Sequence, residues 1–345
     1  MDKKKINNIC LALSDEQSKM IFEKRVKYSE TQDMKYLDDL IVREILRYKD
    51  KDPVWKLLEI VKDRTVWVFG AGFAGRSIVH ALQLFGKNVA GVLDNNCNMW
   101  GSDIFGAAVF NPEKFNSFND LVVIGTNKFR GEIREQLRSI GVPEENIYEA
   151  DDTWWLGPYV QYFDKDIIKP KSNGIFVDGG SLDGGDCMEY TKYFGNDYNA
   201  LYAFEPDPLN QEQMEMIAKT LHDFHFYKAG LWSKRTELRF SSERLGCSSM
   251  SENGDIMVNV DSIDNVLANL PVTYIKLDIE GSELEALHGA EKTIYKNKPV
   301  LAICVYHKPE DIIEIPNYIL SLHLGYKLYL RHYSYLDTET VLYAV

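Results

Sequence analysis

An α/β protein built on doubly wound, mostly parallel sheets is predicted by three observations. From residue 65 onward, short apolar runs alternate with helix-period segments, which implies parallel strands joined by crossover helices. Twice an apolar run breaks into a glycine-rich turn ahead of a helix, at Gly70-Ala71-Gly72 and at Gly179-Gly180. The last two strand-like runs, 326–331 and 340–345, follow each other without a helix, so they are expected to form an antiparallel hairpin at the end of a seven-stranded sheet.

At 345 residues the chain exceeds one typical domain. The expected division is a helical segment 1–62, a smaller α/β domain 63–150, a linker 151–173 and a larger α/β domain 174–345. A composition of 45% hydrophobic and 26% charged residues excludes disordered and fibrous classes. The net charge of −13 disfavours polyanionic partners, so neither nucleic acid nor an anionic membrane is expected. Five scattered cysteines without a C-x-x-C pair read as reduced thiols, and hence as cytoplasmic. No apolar run is long enough to span a bilayer, and the apolar stretch near the start is too short for a signal peptide.

Within 1–62, Leu37, Leu40, Ile41, Ile45 and Leu46 recur at helical intervals, so amphipathic helices are expected to pack internally or to join two copies in a homodimer. The stretch 65–76, TVWVFGAGFAGR, followed by a helical segment and by the run 88–94, is a Rossmann-like βαβ unit. Gly70, Gly72 and Gly75 have dinucleotide spacing, and Asp94 stands close to where a ribose-binding acid belongs. Here either a second nucleotide or sugar site or a purely structural domain is expected. The unit is completed by the strand 120–126, the helix 130–141 and the strand 146–148, and no hydride-transfer pair follows it. In the linker, Trp154 and Trp155 are expected to be buried, with Gly157-Pro158 and Pro170 punctuating the boundary.

The larger domain opens with the strand 175–177 ending in Asp178, then glycines 179, 180, 184 and 185, a helix, and a second strand 200–204 ending in Glu205. Glycines let the backbone approach a ligand, and an acid at the second strand tip can accept both hydroxyls of a ribose. Asp178, Asp183 and Asp186 crowd the turn; like charges repel a pyrophosphate but attract a cation such as the sulfonium of S-adenosylmethionine. A helix 209–221 follows, then the strand 224–229 with Gly230-Leu231-Trp232 at its tip, an inserted hairpin 236–260 and an apolar strand 272–278 ending in Asp278. The helix 283–295 leads to the strand 300–306, which ends at His307, and Ile312, Ile315 and Ile319 mark the last helix.

The strings Val177-Asp178-Gly179-Gly180, Phe204-Glu205-Pro206-Asp207-Pro208, Ile275-Lys276-Leu277-Asp278-Ile279-Glu280-Gly281-Ser282-Glu283 and Leu287-His288-Gly289-Ala290 resemble, in order and spacing, the FkbM family of S-adenosylmethionine-dependent O-methyltransferases over about residues 174–345. The resemblance implies a class I methyltransferase sheet that moves a methyl group to a hydroxyl of a sugar, glycan or secondary metabolite. It places Asp178, Gly179, Gly180 and Gly184 along the methionine part of S-adenosylmethionine. Glu205 and Pro206 fall at the ribose, and Gly230 to Trp232 near the adenine. One departure stands out: the family commonly has Gly-Ala-Asn where this chain has Gly180-Ser181-Leu182, so a side-chain amide contact would be missing.

Asp278 is expected either to contact the amino group of S-adenosylmethionine or to serve as general base. His307 is the first choice for that base, because its ordinary pKa lies near neutrality. Glu283 reads as a helix N-terminal cap, and Arg331 and His332 as second-rank candidates for substrate contact. Asp278, Glu280 and His307 could converge on a divalent metal, but no spacing fixes a geometry and no metal is expected. Two alternatives remain. One is a nucleotide-sugar-binding or scaffold protein with an inactive methyltransferase domain, favoured by Leu182. The other is an NAD-dependent sugar oxidoreductase using Gly70 to Gly75.

Overall fold

A computed structural model describes residues 2–49, 51–126, 128–151, 154, 161–169, 172–195, 197–242, 248–251 and 253–345. Trp155, Gly157, Pro158, Pro170 and Cys247 lie outside these residues. The chain forms two compact units, one of Met1–Gln32, Val160–His332 and Glu339–Val345, the other of Asp33–Tyr159 and Tyr333–Thr338. The first 62 residues are therefore not a separate segment, since they divide at residue 32 between the two units.

In the smaller unit, the helix Lys35–Arg47 buries Leu37, Leu40, Ile41 and Ile45, as the periodicity predicts, while Leu46 is exposed. The sheet contains β1 (Val66–Phe69), β2 (Val89–Leu93), β3 (Asp103–Ile104), β4 (Ala107–Phe110), β5 (Leu121–Ile124) and β6 (Ile147–Glu149). Its order is β3-β4-β2-β1-β5-β6, parallel except for the β3–β4 pair. The glycine turn after β1 leads into the helix Phe73–Leu84. Gly70 has φ +115, and a Cβ on Gly75 would stand 1.8 Å from the Gly70 carbonyl oxygen. Close helix-to-strand approach therefore explains these glycines without any ligand. Trp154 is buried and packs on Tyr335 at 5.1 Å between ring centroids.

The larger unit contains β7 (Gly174–Gly179), β8 (Tyr198–Phe204), β9 (Phe224–Tyr227), β10 (Gly230–Leu231), β11 (Thr236–Ser241), β12 (Ser249–Met250), β13 (Ile256–Asp261), β14 (Tyr274–Leu277), β15 (Val300–Cys304), β16 (Leu328–His332) and β17 (Thr340–Ala344). Seven of these form a sheet of order β16-β17-β15-β14-β7-β8-β9. Its strands are parallel from β15 to β9, and the final hairpin is antiparallel, as predicted. The strands β7 and β14 are buried at every position, which accounts for their mostly apolar runs, broken only by the paired Asp178 and Lys276. The insertion is larger than a hairpin: β10-β13-β11-β12 make a second, four-stranded sheet.

Helices α1 (Lys3–Ala12) and α2 (Glu16–Thr31) bury Ile9, Ile21, Phe22 and Val26 within this unit. The Leu330 amide on β16 donates to Ser18 Oγ at 2.9 Å. Arg331 donates to Asp15 Oδ2 at 2.8 Å, and Ser14 N donates to Leu328 O at 2.9 Å. The edge strand is thus covered by α2, a common protection against edge pairing. Among the described residues, no helix is long and apolar enough to cross a membrane.

Replacing Gly75 by Ala forces the Phe73–Leu84 helix away from β1, and overpacking of this kind costs about 1–3 kcal/mol. Urea denaturation of the full chain should show a lowered midpoint for G75A. An unchanged midpoint would mean that the turn opens freely.

Candidate active site

The register of the larger sheet sets Lys276 on β14 directly beside Asp178 on β7. Lys276 is 1% exposed, and its Nζ lies 3.0 Å from Asp178 Oδ1 and 2.9 Å from Asp186 Oδ2. It also donates to the Gly180 carbonyl at 2.9 Å. Burial pushes this ammonium down, but Asp178 and Asp186 more than offset that and hold it well above its ordinary value. One cation thereby fixes the end of β7, the glycine turn and the start of the following helix, Gly185–Phe194.

This geometry corrects three expectations. Asp178 is fully buried beneath the turn and neutralises Lys276, outside the residues that line the cleft. Gly179 is required by packing, because a Cβ there would meet Leu231 and Leu277 side chains at 2.8 Å. Gly184 has φ +80 and turns the chain against Ile217, outside the lining of the cleft. Gly180 does line the cleft, with φ +77 and the Asp278 carbonyl 1.8 Å from where its Cβ would be.

Above the ends of β7, β8 and β14 lies an open cleft of about 650 Å³, solvent at its mouth included. Gly180, Leu182, Glu205, Pro206, Gly230, Leu231, Asp278 and Glu280 are among its lining residues. Glu205 is 6% exposed; its Oε2 accepts from Leu182 N at 3.0 Å and its Oε1 from Asp207 N at 2.8 Å. A carboxylate offers about four acceptor positions, so each oxygen retains capacity toward the cleft. Burial raises the Glu205 carboxyl above its ordinary value against these amide bonds. Leu182 has φ 48 and is 41% exposed. Asparagine adopts that left-handed conformation far more readily than leucine, which gives the residue expected there a backbone reason as well as an amide.

Opposite Glu205, the turn after β14 gathers ionisable groups. Glu280 has φ 53 and Gly281 φ 91, and this tight bend turns Glu280 back toward His307. His307 Nδ1 lies 2.8 Å from Glu283 Oε1, while its Nε2 lies 3.3 Å from Asp278 Oδ1 and 3.6 Å from Glu280 Oε2. Burial alone would lower the imidazole, but Glu283, Asp278 and Glu280 raise it to about 10. These three carboxylates favour the protonated imidazole, so His307 stands as their ion-pair partner. Burial raises Glu280 to about 7, aided by Asp278. Asp278 is held low: burial pushes it up, but His307 and Lys276 outweigh that.

Several members of this cluster lack any motif. Tyr162, from the stretch expected to be a linker, donates to Asp278 Oδ2 at 2.8 Å. Tyr306 Oη lies 3.2 Å from Glu339 Oε1, and Gln161 donates to Glu339 Oε2 at 2.6 Å. Arg331 and His332, expected near substrate, are buried instead. Arg331 binds Asp15, the N-cap of α2, and His332 Nδ1 meets Thr340 Oγ1 at 2.9 Å. In the smaller unit, Asp94 Oδ2 accepts from Ala71 N at 2.6 Å and its Oδ1 from Asn96 N at 2.7 Å, so this acid closes its own glycine loop.

Residues 178–328 match the family model described as Methyltransferase FkbM domain. Residues 62–148 match the one described as C2185-like, N-terminal. Among curated proteins, none matches. Of solved structures, Methyltransferase FkbM from Methylobacillus flagellatus KT is similar at 18% identity and a TM-score of 0.50, covering 91% of this chain and 100% of that chain. Aeropyrum pernix fibrillarin, crystallised with natively bound S-adenosyl-L-methionine, has 10% identity and a TM-score of 0.34, covering 51% of this chain and 67% of that chain. A SAM dependent methyltransferase from Aquifex aeolicus has 14% identity and a TM-score of 0.31, covering 51% and 84% respectively. By the family match, residues 178–328 carry a methyltransferase domain of the FkbM type.

Two substitutions probe this geometry. Lys276→Met leaves the buried Asp178 and the partly exposed Asp186 without a counter-ion, and breaking a buried pair costs about 3–5 kcal/mol; urea denaturation should show a loss of that order. Leu182→Asn should instead stabilise the turn by up to about 1 kcal/mol through relief of the left-handed backbone, read as a raised midpoint in the same assay.

Proposed function

We propose that the larger unit is an S-adenosylmethionine-dependent O-methyltransferase whose donor lies in the cleft between Gly180, Glu205 and Asp278. The observation that carries this reading is Glu205: a buried carboxylate at the tip of β8, already oriented by two backbone amides, with acceptor capacity left over for a pair of ribose hydroxyls. Gly230 and Leu231 stand on the adenine side of that acid. Gly180, without a side chain, admits the methionine part beside Asp278.

Methyl transfer breaks the carbon–sulfur bond, forms a carbon–oxygen bond and releases the hydroxyl proton. The protein's work is to align donor and acceptor and to receive that proton. His307 positions the carboxylates of Asp278 and Glu280, and their oxygens supply the proton's destination. Asp278 is in turn oriented by Tyr162. This oxygen-rich wall fits a hydroxylated acceptor, and a hydroxyl of a sugar, glycan or secondary metabolite is the class we assign.

Calorimetric titration of the full chain with S-adenosylmethionine, NAD and a UDP-sugar tests the reading. S-adenosylmethionine should bind, and Glu205→Ala should weaken it at least about tenfold, because hydrogen bonds to a charged group contribute roughly 1.5–3 kcal/mol each. Binding of NAD alone, or full S-adenosylmethionine affinity in E205A, would sink it.

A further inference from the structure

We propose that Asp278, Glu280 and His307 form a divalent-cation site at the acceptor side of the cleft, taking a first-row ion such as Mn²⁺. One ligand atom from each residue lies within 4.8 Å of the other two. The separations from His307 Nε2, 3.3 Å to Asp278 Oδ1 and 3.6 Å to Glu280 Oε2, are close to the spacing of about 3.0–3.4 Å between neighbouring ligands of an octahedral or tetrahedral ion with bonds near 2.1 Å.

A second, independent observation points to a ligand. His307 Nε2 is buried without a hydrogen-bond partner, on a side chain only 8% exposed, and it faces the two carboxylates. Buried polar atoms are rarely left so. The other ring nitrogen is committed: Nδ1 meets Glu283 Oε1 at 2.8 Å. Glu283 is itself fully buried and accepts from Ile279 N at 2.9 Å. A carboxylate that holds the remote ring nitrogen of a ligating histidine is the usual outer support of a metal site. It turns Nε2 toward the cluster, where the cation replaces the proton that this nitrogen otherwise carries.

The donor set selects the ion. Two carboxylate oxygens and one imidazole nitrogen suit first-row divalent cations such as Mn²⁺ or Zn²⁺ better than Ca²⁺, which prefers oxygen ligands alone. Tyr162 donates to Asp278 Oδ2 at 2.8 Å, and Oδ1 faces the cluster beside the Tyr306 hydroxyl at 3.4 Å. Because Asp278 and Glu280 also line the cleft, the remaining coordination positions open toward the acceptor. Resting on the methyltransferase reading, a cation there would hold the acceptor oxygen and make its proton easier to lose.

The test uses the full chain stripped with EDTA and two readouts on the same preparation. Free Mn²⁺ is followed by electron paramagnetic resonance, and S-adenosylhomocysteine binding by calorimetry. One Mn²⁺ per chain is expected, with Zn²⁺ displacing it. Glu280→Gln and Glu283→Gln should each weaken Mn²⁺ by roughly 10–100-fold, while an unchanged far-UV circular dichroism spectrum reports an intact fold. Failure of Mn²⁺ to bind a protein that does bind S-adenosylhomocysteine, or equal Mn²⁺ affinity in wild type and both variants, overturns the cation site alone. Mn²⁺ binding lost in both variants, in a protein with no affinity for S-adenosylhomocysteine, supports the site and overturns the methyltransferase reading instead.

Discussion

The buried ammonium of Lys276 is the constraint on which the cleft depends. It lies between Asp178 and Asp186 and reaches the Gly180 carbonyl, joining two strands, a turn and a helix start at one point. An unpaired charge in that environment would be very costly, so the register of β7 against β14 is tied to the pairing. A shift by one residue would turn Lys276 to the other face and strand both acids. The open turn that admits a ligand is thus held from below by groups that never meet it.

The carboxylates of this region consequently divide into two sets. Asp178 and Asp186 belong to the lysine, while Glu205, Asp278 and Glu280 line the cleft. Positive φ at Leu182 and Glu280 marks the two bends that bring the second set to the opening. Left-handed backbone in non-glycine residues is costly and persists where the surroundings impose it. At Leu182 the imposing contact is the amide bond to Glu205; at Glu280 it is the bend that brings the side chain to His307.

What the sequence made legible here was local. Glycine turns, acids at strand tips and the terminal hairpin are written in consecutive residues, so their positions along the chain suffice to put Gly180, Glu205 and Asp278 at one sheet edge. Partners that meet through register or long loops left no such trace. Tyr162 precedes β7 in a stretch that reads as a connector, and Glu339 sits just before β17, yet both reach the Asp278 cluster. Asp178, Arg331 and His332 failed for the opposite reason: a polar residue at a strand tip looks functional, while the pleat decides whether it faces the cleft or the core. Arg331 and His332 belong to an edge strand roofed by α2, and that roof comes from the far end of the chain.

Charge placement explains which ligand this edge prefers. The strongest nearby cation, Lys276, is 1% exposed and neutralised within the core, so it offers nothing to a phosphate in the cleft. The imidazolium of His307 is likewise enclosed by Glu283, Asp278 and Glu280. Among the described residues, the lining that remains accessible holds carboxylates, neutral polar groups and apolar side chains but no cation, from Glu205 at one wall to Asp278 and Glu280 at the other. Such a surface repels a pyrophosphate and attracts a ligand whose positive charge sits beside an uncharged nucleoside. The electrostatics of the cleft, more than the number of its glycines, thus separate it from a dinucleotide fold.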